Sequence, residues 1–296
     1  MKPKIDRIKL VFAILFSVAY LFSTFEVSLG QDMMGPDYAS SKTKEVIQKM
    51  LKAHGGLEKW KKVKSLSFDN IFFNPAASQM EWPSPWWVSH EVIDLKNRRA
   101  YHDWPLDNAK LTFDGEKVWT VDWKNGNMPK MQAMFFFYFA ALPFLTQDSN
   151  VRLGEPGMAK LPGFDKEYIT VVMGFTEKPT IGKTDKDSFK LFIDPDTHIL
   201  QDYEYKMGFG AMLDAMGLPP EAEVFGPMLR IHDKFTKVNG LTFPTELHTM
   251  PPDGSTIYGN HVLFNYSLTE KFDESRMKMS INVIIDKSNA ERKAGK

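Results

Sequence analysis

The chain has 296 residues, 37 of them Lys or Arg and 37 Asp or Glu, and it contains no cysteine. This charge balance, which stays near neutral without the first 30 residues, lacks the basic excess that nucleic-acid binding requires. The absence of cysteine excludes disulfides, thiolate metal ligands, a cysteine nucleophile and a lipid-bearing N-terminal cysteine, so the core alone must hold the fold.

At the N-terminus, Lys2, Lys4, Arg7 and Lys9 precede an uncharged, mostly apolar run from Leu10 to Phe25. A basic region followed by an apolar one is the pattern of a signal peptide. Ser28 and Gly30 have the small-residue spacing of a cleavage site, which predicts residues 1–30 as signal peptide and an exported, periplasmic chain from about Gln31. The alternatives are a secreted protein or one anchored by an uncleaved segment, since the run approaches the roughly 18 to 20 residues of a spanning helix. Residues 31–296 contain no Ser/Gly-rich linker and read as a single β-rich domain, a size that large β folds reach.

The first element is an amphipathic helix in SSKTKEVIQKMLKAHGG, with Ser40 or Ser41 as N-cap, Val46, Ile47, Met50 and Leu51 on one stripe, and Gly55 and Gly56 as the stop. From Val63 the pattern changes to short runs rich in Val, Ile, Phe, Trp and Thr. Eleven strands are predicted: SLSFDNIFF, WWVSHEVIDL, RRAYHDW, AKLTFD, KVWTVDW, EYITVVMGF, SFKLFID, ILQDYEYKM, PMLRIHDKF, LTFPTELHTM and HVLFNYSLTEKF. Turns at Asp114-Gly115, Asn125-Gly126, Asp194-Pro195, Asn239-Gly240 and Asp253-Gly254 separate several of them. Alternation of apolar and polar residues in KVWTVDW and FKLFID marks a sheet with one buried face. The fold class is therefore mainly β (α+β), a large antiparallel meander.

Two segments break the strand rhythm. MQAMFFFYFAALPFL, residues 131–145, has Gln132 and Pro143 as its interruptions and is too short to span a membrane. It has no polar face, so it must be enclosed on all sides or must face a cavity. Met128, Met131 and Met134, with Met207, Met212 and Met216 in the second segment, Gly208 to Gly226, supply flexible thioethers suited to variable apolar ligands as well as to filling a core. Trp82, Trp86 and Trp87 fall in a proline-broken stretch that suits a cavity rim, a membrane-interface contact or a cap on the sheet's open end.

The hairpin LTFDGEKVWTVDW, with Asp114, Gly115 and Trp119, together with FIDPDTHILQDYEY and VNGLTFPTELH, resembles the outer-membrane lipoprotein carrier superfamily of LolA/LolB-like periplasmic proteins. The resemblance follows element order over residues 42–270. It implies a half-open barrel, a curved antiparallel sheet that encloses short helices and holds acyl chains on its concave face. It also implies an arginine that latches a lid, for which Arg98 or Arg99 is the candidate.

HExxH, GxSxG and an EF-hand loop do not occur. His90-Glu91, His102-Asp103 and His232-Asp233 are neighbours whose side chains leave a strand on opposite faces. Asp185, Asp187, Asp194 and Asp196 read as turn residues, with no metal and no cofactor expected. The sequence thus points to a non-enzymatic, non-covalent binding protein or carrier for an apolar ligand: a hydrophobic small molecule, a lipid or a lipidated protein, with transient membrane-surface contact and no nucleic acid. The candidate lining is Trp82, Trp86, Trp87, Tyr101, Trp104, Phe113, Trp119, Met131, Met134, Phe135, Phe139, Phe144, Met212 and Met216. The alternatives are a structural β-domain without ligand and an envelope hydrolase with an unrecognised site.

Overall fold

The computed structural model describes residues 35–75, 84–124, 129–177, 185–208, 213–214, 217–219, 221–279 and 283–285. The predicted signal peptide, the Asn125-Gly126 turn, Trp82, Met128, Met212 and Met216 lie outside the described residues.

Strand β1 (Asp37–Tyr38) leads into α1 (Ser41–Ala53) and a short α2 (Leu57–Trp60). The first meander is β2 (Ser65–Phe73), β3 (Trp86–Asp94), β4 (Arg99–Trp104), β5 (Ala109–Phe113) and β6 (Val118–Val121). After α3 (Pro129–Leu145) come β7 (Val151–Leu153) and β8 (Gly157–Lys160). The second meander is β9 (Glu167–Phe175), β10 (Ser188–Ile193), β11 (Leu200–Met207), β12 (Phe225–Val238), β13 (Leu241–Met250) and β14 (Gly259–Ser267), and β15 (Ile284–Ile285) closes the order. Each of the eleven predicted strands is present. The short strands β1, β7, β8 and β15 went unpredicted because two to four residues carry no usable alternation.

Among the described residues, fifteen strands form one sheet that runs from β1 to β15 without closing into a barrel. Its ladder is antiparallel except where β1 lies parallel to β7. The two meanders join in the middle of the sheet, where β14 pairs with β2. In sequence they are connected by α3.

The caps form as the residue types dictate. Ser40 accepts the Thr43 N–H at 3.2 Å, and Ile47, Met50 and Leu51 face inward. Asp114 accepts the N–H groups of Glu116 and Lys117 at 2.9 and 2.7 Å, closing the β5–β6 hairpin. Pro143 does not end α3, which continues to Leu145; a proline this near the C-terminus costs only a carbonyl partner in the last turns. The Thr146 hydroxyl then donates to the Pro143 carbonyl at 2.6 Å.

The helix ends are tied to the sheet at two places. Gly55, with φ +106°, lies so close to the β12–β13 turn that a Cβ there would sit 2.2 Å from the Gly240 oxygen and 2.8 Å from the Leu241 Cα. Both obstacles are backbone, so the Gly55→Ala variant should lose about 3 kcal/mol or more from strain and overlap together. A thermal melt within a degree or two of the unaltered protein would refute this. Beside Gly55, His54 and His232 bracket the Leu200 peptide: the Leu200 N–H donates to His54 Nε2 at 3.0 Å, and the His232 Nδ1–H donates to the Leu200 carbonyl at 3.1 Å.

Candidate functional site

α3 is packed on nearly every side, as a helix without a polar face requires. It touches β4, β5, β6, β13 and α1. Phe136 and Phe137 are fully buried. Phe136 meets Phe68 at 5.8 Å and Phe139 at 5.4 Å between ring centres, and Phe144 stacks on Trp60 at 4.4 Å. The exception along residues 130–145 is Phe135, which is partly exposed.

At Phe135 the packing opens into a small cavity of about 40 Å³. Met134, Phe135, Tyr138 and Phe139 form its helix wall, and Phe189, Tyr203, Tyr205 and Arg230 its sheet wall, with Asp187, Lys206 and Met207 completing it. Phe135, Lys206 and Met207 are the liners that reach solvent, so they mark the mouth. Register explains the sheet wall: Phe189 pairs with Tyr205, and Tyr203 pairs with Arg230, so all four leave the sheet on the concave face. Tyr138 lies over Phe189 at 4.7 Å. Burial raises the Tyr138, Tyr203 and Tyr205 hydroxyls above the usual phenol range, so they stay protonated and neutral. Ligand pockets usually measure about 300 to 1,000 Å³, so a chain of any length enters only if the mouth residues move.

The predicted lining residues fall into four places. Met134, Phe135 and Phe139 meet at the cavity. Met131, Phe113 and Phe144 belong to the closed core around α3. Trp87 and Trp104 form a separate cluster, 5.8 Å apart between rings. Trp86, Tyr101 and Trp119 leave the sheet on its convex face: Trp86 is 55 % exposed, Tyr101 packs on Phe272 and under Arg276, and Trp119 lines an open groove of about 350 Å³ with Arg276 and Lys278. Period-two alternation separates Trp86 from Trp87 and Trp119 from its inward neighbours, a distinction that aromatic type alone does not carry.

The candidate latch arginines also point elsewhere. Arg98 pairs with Asp148 at 2.7 Å, and Arg99 bridges Asp94 and Glu274 at 2.5 and 2.7 Å, and neither lines the cavity. The arginine inside is Arg230. Its signal was present in PMLRIHDKF, where alternation puts Arg230 on one face with Met228 and His232, a charge at an apolar position. Tyr203, Tyr205 and Met207 share a face in QDYEYKM by the same rule.

Register also creates a pair that neighbour spacing hid. His102 and Glu91, opposite each other on β4 and β3, are both fully buried and in contact. Ser89 donates to Glu91, Asn70 donates to Ser89 at 3.2 Å, and His261 contacts Asn70 at 2.8 Å. Glutamate, not histidine, is the link between serine and imidazole here, so this cluster does not have the order of a nucleophile activated by a base.

These features define a class: a half-open, mainly β sheet wrapped around an apolar helix. No family model matches the chain, and no curated protein matches it. Among solved structures it is similar to a DUF1329 family protein from Desulfovibrio piger ATCC 29098, with 7 % identity, a TM-score of 0.50, and 81 % of this chain and 98 % of that one covered. It is also similar to a LolA superfamily protein from Nitrosomonas europaea, with 8 % identity, a TM-score of 0.46 and coverages of 81 % and 99 %. An outer membrane lipoprotein-sorting protein domain from Vibrio parahaemolyticus is similar at 9 % identity, with a TM-score of 0.42 and coverages of 78 % and 94 %. At these identities the likeness is one of fold.

Proposed function

We propose that this chain is an exported binding protein or carrier that takes up an apolar chain between α3 and strands β10–β12, without covalent chemistry. The observation that carries this reading is the cavity at Phe135, the point where an otherwise sealed apolar helix meets solvent through apolar walls. Met134 and Met207 stand on opposite sides of it and supply the adaptable surface that variable chains need. Each buried CH₂ would contribute about 0.8 kcal/mol to binding. The basic and apolar pattern of residues 1–30 supports export, and no described helix is long and apolar enough to cross a membrane. Lipids and lipidated proteins are the ligand classes that fit.

Organic extraction of the purified protein followed by mass spectrometry should release a lipid, and a fluorescent fatty acid should bind the extracted protein. The Phe135→Asp variant should lose probe binding while keeping its melting transition, because its side chain sits at the mouth; Met131→Asp, in the closed core, should not fold. The small volume favours a second reading, a packed sheet domain without ligand. A clean extract together with no probe binding would establish that reading and end the first.

A further inference from the structure

Arg230 leaves the concave face of β12 and is sealed from water, with 3 % of its surface exposed. Its guanidinium carbon lies 4.2 Å from the centre of the Phe139 ring, and Tyr203 and Tyr205 line the same cavity. Its Nε and Nη1 groups have no hydrogen-bond acceptor. Asp202, adjacent in the ladder, turns to the convex face and accepts the Arg230 backbone N–H at 3.0 Å. Asp187, on the same cavity, accepts the Gly208 N–H at 2.5 Å. No ion pair to Arg230 forms among the described residues.

Arginine keeps its charge inside a protein, so it cannot escape desolvation by losing a proton as a lysine would. A buried cation with open donors is unfavourable until an acceptor of opposite charge arrives. A hydrocarbon chain alone leaves that deficit in place. An amphiphile with an anionic head supplies both the charge and the lone pairs, and its chain would run past Met134 and Phe135 to the mouth.

We infer that Arg230 anchors the anionic head group, a carboxylate or a phosphate monoester, of the amphiphile that this cavity takes. The inference rests on the carrier reading above. Charge-assisted hydrogen bonds in a site closed to water make the head group selective, by about ten- to a hundredfold over a neutral one.

The test uses the full mature chain and two fluorescent probes, cis-parinaric acid and its methyl ester. The acid should bind about ten- to a hundredfold more tightly, Arg230→Met should bring its affinity down to that of the ester, and the ester should bind both proteins alike. Lys206→Met, at the mouth, should keep the preference. Displacement of the acid by dodecanoate or by dodecyl phosphate identifies which head group is held, and displacement by neither would overturn the assignment. Equal binding of acid and ester to the unaltered protein, or an unchanged preference in Arg230→Met, overturns the anchor and leaves the carrier reading standing. Binding of neither probe ends both. If Arg230→Met shows no thermal transition, the acid-to-ester ratios of the unaltered protein and of Lys206→Met decide.

Discussion

Truncating Phe136 to alanine should lower the free energy of unfolding by about 3 to 5 kcal/mol, the range for removing a large aromatic from a closed core. Phe136 has no exposed surface and meets Phe68, Phe139 and the His102 ring, at 5.8, 5.4 and 5.2 Å. The same truncation one residue earlier should cost about 1 kcal/mol, near the centre of the range for ordinary substitutions, because the Phe135 ring is already partly in water and leaves a widened mouth rather than a sealed void. Urea unfolding of the two variants makes the comparison directly. Equal losses would mean that Phe135 is core and that the cavity has no mouth there.

Acid should destabilise the protein before its carboxylates protonate. Burial pushes His54 and His232 down from 6.5 to about 4, and pushes His261 well below its ordinary value. For His54 there is a further physical reason, since a proton on Nε2 would leave the Leu200 N–H facing a donor. At pH 7 these imidazoles are mostly neutral in both states and exert little pull. Between 6.5 and about 4 the unfolded chain takes up protons that the folded chain refuses, so stability falls as pH falls, and the loss levels off below about 4 for His54 and His232. Asp202 acts in the opposite direction, because burial raises its pKa and its neutral form favours the folded state as the solution is acidified. His54 and His232 alone lose about 2 kcal/mol each between pH 6.5 and 4.5, with His261 adding to the loss and Asp202 and the raised His90 opposing it. Urea midpoints at pH 7 and pH 4.5 measure it. Equal midpoints would mean that the imidazoles are reached by protons inside the folded sheet.

How much of this was legible in the sequence depends on the range over which each signal acts. Capping, turn chemistry and alternation are local, so α1 with its Ser40 cap, the Asp114-Gly115 turn and the eleven longer strands could be read directly. Enclosure of residues 131–145 was legible because a helix with no polar face has few other places to be. The cavity was half legible: Met134, Phe135 and Phe139 came from the helix, but their partners Phe189, Tyr203, Tyr205 and Arg230 lie on three strands whose register no neighbour spacing reveals. Aromatic type misled in the other direction. Tyr101 and Trp119 looked like lining and face away from α3, because a strand sends successive side chains to opposite sides.

The β14–β2 junction bears on the order in which the molecule assembles. Every other pair within the meanders joins strands that follow one another, whereas His261 and Asn70, which meet across this seam, are 191 residues apart in the chain. Closing a loop of that length carries an entropy cost that local hairpins avoid. Each meander can therefore zip from its own turns, while the concave face comes into being only when β14 finds β2. Until that moment the apolar surface of α3 has half a cover, and the speed of this one long-range encounter sets how long it stays open to wrong partners.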